Sequence, residues 1–387
     1  MQRINLKNGF RKNLPNFLLL IFTLMICLLV FEIILRFTIQ KPYGCFLYEK
    51  DEVLSFRNKP NLSYTFKTNE YEVVYNTNED GIREQEGFRF NKKGGEMRIL
   101  TAGDSMTYGL ALNKQDTFQE RLEKKLSAIS NKKIEVINTG VSGYGTKQTL
   151  DFLKMNLKDY EPDMVIFSFY NNDVMDDINY KNLTIEGGCL ISKNTGPLKK
   201  FLYFHSRIFL LYQSSKDYLI IGVKPVRNTL YKIRKVLVSI GLSEHAKLKY
   251  PILERQETPE IYLSWQETLN NIKGMDDLCK ENSCTFILVY IPSRIQVNPL
   301  FREDYLKRNN LKEEDFDFHK PPNRLRQFSK ENGITFIDLQ DEFSKLNIDD
   351  SNLQVYYSFD LHFNKNGAEV FSSILLKKIT QLYKTVP

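Results

Sequence analysis

The chain has 387 residues, long enough for one large domain or two ordinary ones around a substantial core. With 42% hydrophobic and 26% charged residues it is neither disordered nor fibrous, and its net charge of +7 is too small and scattered to mark a nucleic-acid binder. There is no arginine-rich run, RNA-binding signature or zinc-finger spacing, so no nucleic-acid partner is expected.

The first element is an apolar run, Phe17 to Leu35 (FLLLIFTLMICLLVFEIIL), close to the roughly 20 residues a helix needs to cross a hydrocarbon core. Its single charge, Glu32, can snorkel to the interface or pair with Arg36 one turn on. Arg3, Lys7, Arg11 and Lys12 precede it, which predicts residues 1–13 inside the cytoplasm, an uncleaved anchor over 14–37 and the rest outside. A cleaved signal peptide is the alternative, but LRFTIQKPYG after the run offers no small-x-small site. A buried core helix is the third reading.

Residues 38–95 form a polar lead-in with aromatic interruptions, in which Tyr71–Tyr75 (YEVVY) reads as a strand and Asp80-Gly81 as a turn. Arg83, in NEDGIRE, is taken as structural. From residue 96 the pattern alternates. Strands are expected at Met97–Thr101, Lys133–Ile137, Asp163–Phe169, Thr285–Ile291 and Ile334–Leu339. Helices are expected from Asp116, as an N-cap with Gln119 in a capping box, to Ile129, and over Thr146–Leu157, Ile261–Cys279, Pro322–Glu331 and Asn364–Tyr383. Near-continuous apolar strands between helices predict an α/β fold with a central parallel sheet, helices covering both faces. Residues 176–257 interrupt the rhythm with LKKFLYFHSRIFLLY and NTLYKIRKVLVSIGL, two basic aromatic stretches read as amphipathic helices of an insertion.

The five cysteines give no disulfide framework; Cys279 and Cys284 could bridge outside the cytoplasm, but buried thiols are the plainer reading. The four histidines form no paired metal motif, so neither metal nor cofactor is expected. Gly140, Gly143 and Gly145 lack the order of a dinucleotide loop.

Chemistry concentrates at strand ends. The first sheet strand runs into Gly103-Asp104-Ser105-Met106-Thr107-Tyr108-Gly109, with a serine where α/β sheets place their ligands. Asn138-Thr-Gly-Val-Ser-Gly143 follows the second strand, Tyr170-Asn171-Asn172-Asp173 the third, and Asp360-Leu361-His362 lies near the C-terminus, before Asn364 and Gly367. A hydroxyl at its free pKa needs an adjacent base, His362 is the histidine with a matching context, and Asn364 can cap the last helix and stiffen the loop.

Four such blocks in this order resemble the SGNH/GDSL hydrolases over roughly residues 97–175 and 284–384. The resemblance implies a flavodoxin-like three-layer α/β/α domain over 96–387, carrying the 176–257 insertion. It implies Ser105 as nucleophile, His362 as base and Asp360 as its carboxylate partner. It further implies an oxyanion hole from the Ser105 N–H, the Gly143 N–H (Gly140 as fallback) and the Asn172 side chain. The sequence departs from the family twice: Tyr170 stands where a glycine is usual, and Phe359 holds the usual place of the acid, leaving Asp360 two before the histidine, as in relatives that O-acetylate polysaccharides. The expected activity is cleavage of an acyl ester on an envelope glycan or lipid outside the inner membrane. An O-acyltransferase using the same residues and an inactive binding module are the alternatives.

Overall fold

The computed structural model describes residues 6–38, 41, 43–68, 70–83, 92, 94–210, 250–345, 354–358 and 360–383. The NTLYKIRKVLVSIGL stretch and Phe359 lie outside them. The chain divides into two compact units.

In the first unit, helix α1 (Leu6–Thr38) contains a 23-residue stretch, Pro15–Phe37, long and apolar enough to cross a membrane, and its apolar side chains are exposed along most of that stretch. A second helix, α6 (Pro197–His205), belongs to the same unit. Glu32 pairs with Arg36 as its spacing suggests, 3.4 Å away, and also accepts hydrogen bonds from Ser206 Oγ and the backbone N–H groups of Arg207 and Ile208. Arg36 in turn donates to the His205 carbonyl. The one acidic group of the apolar helix thus satisfies two orphan N–H groups where the chain turns after α6.

The second unit is built on a five-stranded parallel sheet. In chain order after the lead-in strands β1 (Tyr48–Asp51), β2 (Ser55–Asn58), β3 (Ser63–Lys67) and β4 (Glu72–Asn76), the sheet strands are β5 (Glu96–Gly103), β6 (Lys133–Asn138), β7 (Met164–Tyr170), β10 (Thr285–Ile291) and β11 (Thr335–Asp338), with β8 (Leu183–Glu186) and β9 (Cys189–Ser192) between. The order is β11-β10-β7-β5-β6, so the chain reverses direction of growth between β5 and β7. This is the doubly wound 2-1-3-4-5 arrangement, whose ligand crevice lies at the carboxyl ends of the strands flanking that switch point.

Period-two side chains explain the layers. Phe286, Leu288 and Tyr290 of β10, with Val165, Phe167 and Phe169 of β7, enter one core; Ile287, Val289 and Ile291, with Met164 and Ile166, enter the other. Helices α4 (Thr146–Tyr160), α7 (Pro259–Glu281) and α8 (Lys320–Asn332) cover the first face through Leu150, Leu153, Trp265, Met275 and Leu325. Helices α3 (Phe118–Ser127) and α9 (Lys365–Tyr383) cover the second through Leu122, Leu126, Phe371 and Leu375. The sequence expectation for α3 needs correction. Thr117, not Asp116, is its N-cap, and Gln119 turns inward to donate to Thr101 Oγ1 and the Thr107 carbonyl instead of closing a capping box. Asp116 pairs instead with Arg121 and Lys365.

The lead-in forms two antiparallel hairpins, β1–β2 and β3–β4, and the 176–257 insertion opens with a third, β8–β9, before reaching α6. Phe56, Val73, Tyr75, Tyr108 and Tyr144 form a third core beneath them, against which Leu183, Ile185 and Leu190 pack. A disulfide, Cys45–Cys189, ties the lead-in to this hairpin, whereas Cys279 and Cys284 are free and buried. No short cysteine spacing signals a bridge that spans 144 residues.

Helix α5 (Asp173–Asn179) is pinned by Asp177, whose carboxylate accepts from Thr146 Oγ1, the Lys147 N–H and Thr268 Oγ1. Burial pushes this carboxyl up to about 6, the hydrogen bonds only partly opposing it. Being raised, it holds its proton in the native state between roughly pH 4 and 6, where the unfolded chain has lost it, so native stability falls as pH rises through that window. Asp177→Asn stays neutral throughout. Its stability relative to wild type should therefore improve by up to about 3 kcal/mol between pH 4 and pH 7, read from denaturant titrations at each pH.

Candidate active site

Strand β5 ends in Gly103, whose φ of +146° and neighbours exclude a side chain: an added Cβ would meet Thr107 Oγ1 at 2.5 Å and the Ser168 carbonyl at 2.8 Å. The chain turns there into α2 (Ser105–Tyr108), capped by the fully buried Asp104, which accepts the Met106 N–H at 2.8 Å. Ser105 opens that turn at the carboxyl end of the sheet, beside the switch point.

His362 arrives from the other end of the chain. Its Nε2 lies 2.8 Å from Ser105 Oγ, and its Nδ1 meets Asp360 Oδ1 in a short contact. With the Nδ1 proton given to the carboxylate, Nε2 is the acceptor for the Ser105 hydroxyl. The two-residue spacing brings a second contact: Asp360 Oδ1 also accepts the His362 backbone N–H at 3.1 Å, so the acid fixes ring and backbone together. Burial pushes the Asp360 carboxyl up, but the facing imidazole and the hydrogen bonds from His362 and Tyr71 outweigh it and hold the group below the usual carboxylate range. It stays ionised as pH falls toward the weakly acid region.

The loop carrying His362 is braced. Asn364 Nδ2 donates to the Gln354 and Tyr356 carbonyls, while its Oδ1 accepts the Gly367 N–H at the start of α9. A Cβ on Gly367 would stand 2.2 Å from the Val355 carbonyl oxygen, so only glycine lets the loop lie this close.

The second block separates the two candidate glycines. The Gly140 N–H is spent on Asn138 Oδ1, and a Cβ there would meet Tyr108 N at 2.4 Å, which makes Gly140 a packing glycine behind the serine turn. Gly143, at φ +88°, has room for a Cβ, and its N–H has no hydrogen-bond acceptor among the described residues. The third block also divides. Asn171 is buried in a network with Tyr290, Ser293 and Gln296. Asn172 is partly covered and donates one amide hydrogen to Asp176 Oδ2, while its Oδ1 has no partner among the described residues. The same amide lies within hydrogen-bonding reach of Asp104. Burial raises the carboxyls of Asp104, Asp173 and Asp176, and the neighbouring Asp104 charge lifts the last two further, well above the ordinary range. Tyr170, in the family's glycine place, ends β7 partly buried.

Two contributions went unread in the sequence. Tyr71 donates its hydroxyl to Asp360 Oδ2, and Glu70 accepts the N–H groups of Ser358 and Asp360. The only local signal was the strand pattern of YEVVY, which identifies neither. Arg83 is buried and donates to the carbonyls of Tyr108, Gly109 and Leu112, its guanidinium lying between the rings of Tyr75 and Tyr108 at 4.9 and 5.0 Å. It is a clamp on the chain leaving the serine turn, in keeping with the structural role expected of it.

No family model matches the sequence, and no curated protein matches it. Among solved structures, the chain is similar to a catalytic mutant of the acetylxylan esterase Axe2 from Geobacillus stearothermophilus, with TM-score 0.40 and 14% identity over 75% of this chain and 96% of that one. It is similar to a lipase/acylhydrolase from Enterococcus faecalis, with TM-score 0.38 and 13% identity over 74% and 96%. It is also similar to a GDSL-like lipase from Bacteroides thetaiotaomicron, with TM-score 0.36 and 13% identity over 74% and 88%. The 2-1-3-4-5 parallel sheet between two helical layers, with a Gly-Asp-Ser turn leaving its first strand, is the α/β fold that the resemblance to the SGNH/GDSL hydrolases implies.

Proposed function

We propose that this protein is a membrane-anchored serine esterase that cleaves an acyl ester, such as an O-acetyl ester, on an envelope glycan or lipid. The observation that carries the reading is the hydrogen-bonded line from Ser105 Oγ through His362 to Asp360. In the acylation step Ser105 Oγ bonds to the ester carbon while His362 Nε2 takes its proton. The tetrahedral oxyanion is met by the Ser105 N–H, the Gly143 N–H and the second amide hydrogen of Asn172, which turns to it from Asp104. Collapse breaks the ester C–O bond, and His362 returns the proton to the leaving alcohol. Water then repeats the sequence on the acyl-serine, releasing the acid and restoring the hydroxyl. Asp360 stays ionised and faces the imidazolium in both halves.

The catalytic domain works outside the cytoplasmic membrane, in the periplasm, with the N-terminus inside. Arg3, Lys7, Arg11 and Lys12, ahead of the apolar span, support that orientation, and a disulfide between Cys45 and Cys189 suits an oxidising compartment. The Asp-x-His spacing favours one second reading, transfer of the acyl group to a sugar hydroxyl in place of water. The chemistry at Ser105 is the same in both.

The test is to treat the full chain in detergent micelles with a fluorophosphonate and locate the adduct by mass spectrometry. One adduct per chain, on Ser105 and absent from Ser105→Ala, is expected. A folded chain that takes no label would overturn the reading in favour of an inactive binding module.

A further inference from the structure

We infer that Glu70 and Tyr71, in the turn of the β3–β4 hairpin, are positioning residues for the Asp360–His362 pair, so that the lead-in segment is a working part of the site. The inference rests on the esterase reading above and deepens it.

The argument begins with Asp360, which is 6% exposed and has two oxygens to satisfy. Oδ1 is taken by the ring and backbone of His362. Oδ2 faces away from the histidine, and its donor is the Tyr71 hydroxyl, 289 residues away in sequence. A carboxylate held by hydrogen bonds on both oxygens cannot rotate about its Cβ–Cγ bond without losing one of them, so Tyr71 sets the plane in which Asp360 meets the imidazole.

The same turn fixes the loop. Glu70 accepts Ser358 N at 2.7 Å and Asp360 N at 2.8 Å, one carboxylate oxygen for each. Arg294 takes the opposite groups, donating to the carbonyls of Tyr357 and Ser358. Tyr71 also packs on Tyr357, with ring centroids 5.1 Å apart, and the Tyr357 hydroxyl donates to the Ala111 carbonyl on the chain leaving the serine turn. The lead-in therefore bridges the serine side and the histidine side. The ionisable and charged groups around Asp360 are His362, Tyr71, Glu70, Arg294, Tyr75 and Tyr357, and Tyr71 is the one that donates to Oδ2.

Tyr71→Phe isolates the hydroxyl, since the ring and its tilted contact with Tyr357 remain. In the full chain in detergent, kcat for an activated acetyl ester should fall about tenfold, as expected for a hydrogen bond to a charged group, with KM unchanged. The acid-side midpoint of the kcat/KM profile should move to higher pH, because an Asp360 relieved of one donor holds the imidazolium more strongly. Glu70→Ala should lower kcat again without changing KM. A Tyr71→Phe enzyme with wild-type kcat and an unmoved pH profile overturns the inference while leaving the esterase reading intact. The low-field proton resonance of His362 Nδ1, assigned by its loss in His362→Ala, reports the geometry without turnover. If wild-type protein takes no fluorophosphonate yet this resonance shifts in Tyr71→Phe, the positioning stands and the esterase reading falls. If it does not shift, the positioning falls as well.

Discussion

Ser105→Ala is expected to lower kcat for an activated ester by about 100,000-fold, and His362→Ala by a similar factor, with the double variant hardly worse than either. The shared loss follows from the geometry. Ser105 Oγ and His362 Nε2, 2.8 Å apart, act as one unit, because the hydroxyl attacks only as its proton leaves for the ring. Oxyanion donors and substrate contacts survive in all three variants and leave a residual rate above that of water. Neither side chain carries the fold: Ser105 is small and its turn is capped by Asp104, while the loop of His362 is held by Asn364 and Gly367. Thermal midpoints within a few degrees of wild type should accompany the loss. Ester hydrolysis that persists in both single variants would place the chemistry elsewhere.

The second large effect should come from Arg83→Met. Arg83 is 2% exposed, and its guanidinium supplies donors to three backbone carbonyls while stacked between two tyrosine rings. Methionine preserves much of the apolar stem but leaves the Leu112 carbonyl facing a dry interior, and reduces Tyr108 and Gly109 to the bonds their carbonyls keep with Asn138 Nδ2 and the Leu112 N–H. An unsatisfied buried acceptor costs about 1–3 kcal/mol, and with the two weakened neighbours and the lost ring contacts the whole change should cost about 3 kcal/mol. For a unit of this size that lowers the thermal midpoint by about 5 °C. Arg83→Lys should recover little, since one ammonium cannot match a planar fork aimed at Tyr108, Gly109 and Leu112. Unlike the serine and histidine variants, both should lose stability and activity together, because the loosened chain is the one that carries Ser105. An Arg83→Met protein as stable as wild type would remove the clamp from this account.

What could be read in the sequence divides along a physical line. Strands buried on both faces announce themselves locally, so Thr285–Ile291 was delimited to the residue and Asp163–Phe169 within one. The Gly-Asp-Ser turn was legible because a strand end, a permissive glycine and a serine stand together in the chain. Tertiary partnerships leave no such local mark. The Cys45–Cys189 bridge, the Tyr71 hydroxyl on Asp360 and the inward turn of Gln119 each depend on a partner brought near by the fold. The Asp116 capping box failed for the same reason: the spacing permitted it, but Arg121 and Lys365 offered the carboxylate a charged alternative. That the Asn138 side chain occupies the Gly140 N–H, and not that of Gly143, was equally invisible in the chain's local order.

The hydrogen bond between Ser105 and His362 spans 257 residues, and the brace from Tyr71 to Asp360 spans 289. During synthesis the ribosome delivers the serine and the tyrosine early and their partners almost last. A polypeptide interrupted before residue 360 would carry a hydroxyl with no base and a hairpin with nothing to hold. If Ser105 is the nucleophile proposed above, its covalent labelling should report only chains that are finished and fully assembled.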